Sequence, residues 1–113
     1  NYYGLYLTTE QITLPVDYFE MPAWDVKHVP IEFDWTISND FLEHLPPERV
    51  EEVIEGMISV SRVGTIHAIS LRDAQTYDGH KVHLTVKPLE WWQSIFDKYK
   101  GNKKVLLFDA DSL

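Results

Sequence analysis

Residues 39–54 read NDFLEHLPPERVEEVI, and the fold turns on them. Pro46 and Pro47 lack N–H donors, which costs nothing in the first turn of a helix. Val50, Val53, Ile54, Met57 and Ile58 then recur at i, i+3, i+4, i+7 and i+8, a single apolar stripe. That spacing predicts a helix over 47–60. Glu48, Glu51 and Glu52 lie near its N-terminus, where the helix dipole favours negative charge. The prolines and glutamates thus have a structural explanation. Asn39, Asp40, Glu43 and His44 do not, because a strand-to-helix turn needs no such cluster of polarity. Their placement suggests a ligand site at the end of a strand.

Working outward, Phe33–Ser38 (FDWTIS) reads as a strand. Gly64 is expected to mark the helix exit, and Thr65–Leu71 (TIHAISL) is apolar enough to lie inside a sheet. Asp78-Gly79 is a turn signal, and Val82–Val86 reads as short and extended. Pro88 opens a second helix, over 88–99, with Leu89, Trp92, Ile95, Phe96 and Tyr99 on one face. Lys98 and Lys100 suit its C-terminus and Gly101 its left-handed cap. Lys104–Asp109 is a final strand. Upstream, Tyr2–Leu7 and, more weakly, Val16–Met21 read as strands, Pro15 stops any turn begun at Thr8, and Pro22–Pro30 reads as irregular. Strands and helices alternate from Phe33 onward, which argues for a three-layer α/β fold on a parallel sheet. Such sheets bind ligands beyond the carboxyl ends of their strands, where Asn39-Asp40 lies.

The chain has 113 residues, 44% of them hydrophobic, enough for one domain with a core of its own. Ten basic residues against eighteen acidic ones give a net charge of −8. That balance argues against broad nucleic-acid binding, which depends on Lys and Arg. Lys98, Lys100, Lys103 and Lys104 fit a solvated helix end and strand start. Cysteine is absent, which excludes disulfides and zinc–thiolate sites and fits a reducing, cytoplasmic setting. No apolar run reaches the roughly 18–20 residues that span a bilayer.

FDWTISNDFLEHLPPERVEEVI, RVGTIHAISL and HLTVKPLEWW together closely resemble the second half of class I S-adenosylmethionine-dependent methyltransferases. In that family a strand leads into LEH and a proline-started helix; a glycine-preceded strand follows, then an HLTxKPxxWW segment. The resemblance covers about residues 33–99. YYGLYLT and VDYFEMPAWD match loosely the places of the family's second and third strands. It implies a Rossmann-like, mostly parallel sheet with packed helices, S-adenosylmethionine as cofactor, and methyl transfer to an acceptor that the sequence does not identify.

The departures are specific. The glycine-rich loop that cradles the cofactor's amino-acid part is absent, and Tyr6 stands where the family's ribose-binding acid is expected. The family's central first strand and its last antiparallel strand are also missing, so the chain reads as an incomplete, truncated domain. The gap is expected to be filled by an N-terminal segment, by a second chain in an oligomer, or by direct pairing of the flanking strands. Weak or no cofactor binding by this chain alone is the corresponding expectation. A non-catalytic binding or assembly module with a methyltransferase-like fold is the alternative.

Residue by residue, the resemblance implies that Trp24 and Asp25 hold adenine, and that Asn39, Asp40 and Phe41 face the cofactor. Segments 21–25 and 38–41 are expected to line one cleft. His44 and Asp40 are the candidate catalytic residues, with His44 as a base for an acceptor that carries a proton. His83 and Trp91 are candidates for the acceptor pocket. The structural alternatives are a strand-end turn at Asn39-Asp40, a hydrogen-bonded Glu43–His44 brace, a tryptophan-anchored loop at Trp24, and an interface at Trp91. No metal is expected, because His67, His80 and His83 fall in strand and turn without helical ligand spacing.

Overall fold

The computed structural model describes residues 21–76 and 78–112. The expected strand Tyr2–Leu7 and all of Val16–Met21 except its last residue lie outside these. Three strands, β1 (Phe33–Asn39), β2 (Ser61–Ile69) and β3 (Lys104–Asp109), form one parallel sheet in the order β1-β2-β3. Helix α1 (Pro47–Ser59) connects β1 to β2, and helix α2 (Leu89–Tyr99) lies between β2 and β3. The expected α/β alternation and parallel sheet are therefore present, but among the described residues both helices pack on one sheet face, which makes two layers where three were expected.

Both helices begin as their prolines dictate. Pro46 is extended at the N-cap of α1 with Pro47 at its first position, and Pro88 is extended at the N-cap of α2. All five residues of the α1 stripe are buried, as are Trp92, Ile95 and Phe96 of α2. The α2 helix ends at Gly101, whose φ of 56° is the left-handed conformation that glycine adopts at no steric cost.

Three boundaries differ from the sequence reading. Gly64 does not end α1; it lies within β2, which starts four residues earlier than expected. The reason is cross-strand space. A Cβ at Gly64 would stand 2.5 Å from the Lys104 carbonyl oxygen and 2.7 Å from Cζ3 of Trp35, so the strand passes between its neighbours only with glycine there. Val82–Val86, read as short and extended, joins no ladder among the described residues: its Leu84 and Thr85 N–H groups bond the Glu43 carbonyl in the loop after β1, and that of Val82 the Ala74 carbonyl. Pro22–Pro30 is not wholly irregular: Ala23–His28 winds as a 3-10 helix along α1, with Val26 against Gly56.

The core fills the space between one sheet face and the two helices. Ile69, Val105 and Leu107 meet α1 and α2 there. The same face carries a polar seam. Thr36 Oγ1 lies 2.8 Å from Ser61 Oγ and 2.7 Å from Thr65 Oγ1, and Ser61 Oγ donates to the Met57 carbonyl at 2.6 Å. Each hydroxyl thus meets a partner, as burial requires. On the opposite face Trp35, Ile37, Leu106 and Phe108 are exposed, and no helix among the described residues covers them. No described helix is long and apolar enough to cross a membrane.

Candidate functional site

β1 ends in a turn whose backbone sets the site. Asp40 has a φ of 51°, and its N–H still bonds the Ala68 carbonyl of β2 at 3.0 Å. The left-handed residue turns the chain off the sheet, and Leu42–His44 follow as one 3-10 turn. Leu42 and Leu45 point into the core and are fully buried. The turn is then clamped by the second conspicuous segment. The N–H groups of Leu84 and Thr85 both bond the Glu43 carbonyl, at 3.0 and 3.1 Å, and Thr85 Oγ1 donates to the Leu45 carbonyl at 2.7 Å. LEHLPP and HLTVKP, some forty residues apart in sequence, are therefore one structural unit at the carboxyl end of β1.

That junction brings together Glu43, His44 and His83. Glu43 is fully buried. Its Oε1 accepts the N–H of Ser70, just past β2, at 3.2 Å, while Oε2 has no hydrogen-bond partner among the described residues. Burial raises the Glu43 pKa above the ordinary carboxylate value, against the opposing pull of backbone N–H groups and the two imidazoles. His44 Nδ1 lies 3.0 Å from the Val82 carbonyl oxygen, and His83 Nδ1 lies 2.6 Å from that of Arg72. A carbonyl can only accept, so each Nδ1 carries the hydrogen and each neutral ring presents an Nε2 lone pair. Both lone-pair nitrogens face Glu43 Oε2, at 3.7 Å from His44 and 4.0 Å from His83, too far for hydrogen bonds. The two rings meet edge to face with centroids 4.8 Å apart.

The remaining candidates are placed separately. Trp24 lies on the 3-10 helix beside α1, with the Arg49 guanidinium 4.5 Å from its ring centroid; Asp25 follows it on the same turn. Asn39 ends β1, and Phe41 packs on the core as half-buried. Trp91 stands edge to face with Trp92, and Lys87 Nζ is 5.6 Å from its centroid. His80 is on the exposed turn with Asp78, and His67 is buried between sheet and helices, bonded to Ser38 Oγ at 2.6 Å and to Thr65 Oγ1. The histidine trio weighed from sequence is thus dispersed. His83 instead joins Glu43 and His44, a grouping hidden by the separation of 38 positions between His44 and Val82, the backbone partner that fixes it.

The described surface also has a depression at the opposite, amino-terminal end of the strands, bordered by Lys27, Ile31, Glu32 and Val60. It contains none of the sequence candidates. No protein-family model, curated protein or solved structure matches the chain.

Proposed function

We propose that this chain is part of an S-adenosylmethionine-dependent methyltransferase and forms the acceptor side of its site. The observation that carries the reading is the clamp between LEHLPP and HLTVKP. Two of the three segments that carry the sequence resemblance fold against one another at the carboxyl ends of β1 and β2, the edge where parallel α/β sheets bind ligands. Methyl transfer is a displacement at the sulfonium. The acceptor's lone pair forms the new bond to carbon, the carbon–sulfur bond breaks, and S-adenosylhomocysteine leaves. A protonated acceptor also gives up a proton. The His44 Nε2 lone pair, left free by the Nδ1–H bond to the Val82 carbonyl, would take it. The rest of the catalysis is alignment.

A nuclear magnetic resonance titration with millimolar S-adenosylhomocysteine tests this reading even where binding is weak. Shift changes concentrated at Trp24, Asp25 and Asn39–Phe41 are expected. Shift changes confined to residues away from that edge at millimolar ligand overturn it. The apolar sheet face, which no described helix covers, favours a second reading, a methyltransferase-like assembly module; that reading predicts no shifts at the carboxyl edge and broad perturbation at Ile37, Leu106 and Phe108 on association.

A further inference from the structure

We infer that Glu43, His44 and His83 form a binding site for a divalent first-row transition-metal ion, independent of what the sheet binds. Three features of the cluster support it. The first is the donor set, two imidazole Nε2 lone pairs and one carboxylate oxygen, all within 4.8 Å of one another. Three atoms so spaced have a common point roughly 2.5 Å or less from each, and a contraction of a few tenths of an ångström reaches the 2.0–2.2 Å of zinc ligands. The second is the orphaned Glu43 Oε2, a fully buried carboxylate oxygen with no hydrogen-bond partner among the described residues, aimed between the two rings. Burying such an oxygen without a compensating charge is costly, and a cation supplies one. The third is the outer layer. Both Nδ1–H groups are tied to backbone carbonyls and Glu43 Oε1 to the Ser70 N–H, which is how metal-ligating side chains are oriented.

The ligand chemistry selects the ion class. Two nitrogens and one oxygen suit zinc, iron(II), cobalt(II) or manganese(II) better than calcium or magnesium, which prefer all-oxygen shells. His44 and His83 are only partly buried, with side chains 31% and 13% exposed, so coordination positions remain for water or a ligand atom. An ion bound there would occupy the His44 Nε2 lone pair, so His44 could not serve as a base at the same time.

Cobalt(II) titration of the whole 113-residue chain tests the inference without any activity measurement. One equivalent should bind saturably, with the visible absorption of a four- or five-coordinate site and a rise in thermal midpoint. His83→Gln should weaken binding by more than the roughly 10–100-fold that loss of an outer partner costs. His80→Gln, on the exposed turn, should leave it unchanged. X-ray absorption on the unmodified protein reads the site whether or not the variants fold, and two imidazoles in the first shell are expected. The inference is overturned by the absence of saturable binding, by a shell without imidazole, or by folded His83→Gln protein that binds as tightly as the original.

Discussion

Asp40 is the only non-glycine residue among those described with a left-handed backbone, and it stands at the end of β1 where the chain leaves the sheet. A side chain there costs roughly 1–2 kcal/mol relative to glycine, less for Asp, which tolerates the region. Asp40→Gly is therefore expected to hold or raise stability by up to about 1 kcal/mol, and Asp40→Val to lower it by about 1–2 kcal/mol, in urea unfolding. If the carboxylate contributes to methyl transfer, Asp40→Gly should separate the two quantities, stable but slow. His67 gives a second prediction. Burial pushes its pKa down from 6.5 to about 4. The unfolded chain takes up the proton as pH falls through 6.5, while the folded chain resists until about 4. Stability is then lost across that window, by roughly 3 kcal/mol from this group. Glu43 runs the other way: its raised pKa gives a contribution that is full below 4.5 and lost as pH rises through the folded value. Comparing the protein with His67→Gln isolates the histidine. The variant should lack the decline between pH 6.5 and 4; parallel curves would remove His67 from the account.

At the scale of elements, the parts legible in the sequence were those specified by local chemistry. Pro47 and Pro88 set helix starts, the 3.6-residue stripe set the buried face of α1, Gly101 set the end of α2, and Lys104–Asp109 appears with the boundaries expected. What sequence misplaced depends on contacts with distant chain. Gly64 looks like a helix terminator from its neighbours alone, yet its lack of a Cβ serves the Trp35 ring on one side and the Lys104 carbonyl on the other. Val82–Val86 has strand composition, but its Leu84 and Thr85 N–H groups go to the Glu43 carbonyl and that of Val82 to Ala74. The candidate site was half visible for the same reason. His44 and His83 could be singled out one at a time, but their meeting with Glu43 Oε2 depends on that loop-to-loop pairing. Gly64→Ala is the direct test at this scale. It should cost about 1–3 kcal/mol, as overpacking does, because the backbone oxygen of Lys104 cannot yield as a side-chain end can. An unchanged urea midpoint would mean that β2 and β3 part more easily than this packing implies.

For the whole molecule the asymmetry of the sheet matters most. Helices α1 and α2 lie on the same face, joined across their exposed sides where Glu51 Oε1 accepts from both Lys98 Nζ and Tyr99 OH. The other face aligns Ile37, Ile66 and Leu106 in register, with Phe108 beside Ala68. Ile37 is 71% exposed, Leu106 45% and Phe108 43%. A contiguous apolar row of this kind drives association, and among the described residues β1 is paired only on its β2 side, which leaves a strand edge next to it. The chain is therefore expected to associate with a second copy through this face and edge. Light scattering on the 113-residue protein should give a mass above the 13.2 kDa of one chain. Ile37→Glu and Leu106→Glu should shift it toward that mass while leaving the far-ultraviolet circular dichroism unchanged. Because both side chains point away from the helix-covered core, neither substitution should cost the fold more than about 0.5 kcal/mol. A monomer at all concentrations, with the β1 amides protected from exchange, would show that the face and edge are covered within one chain.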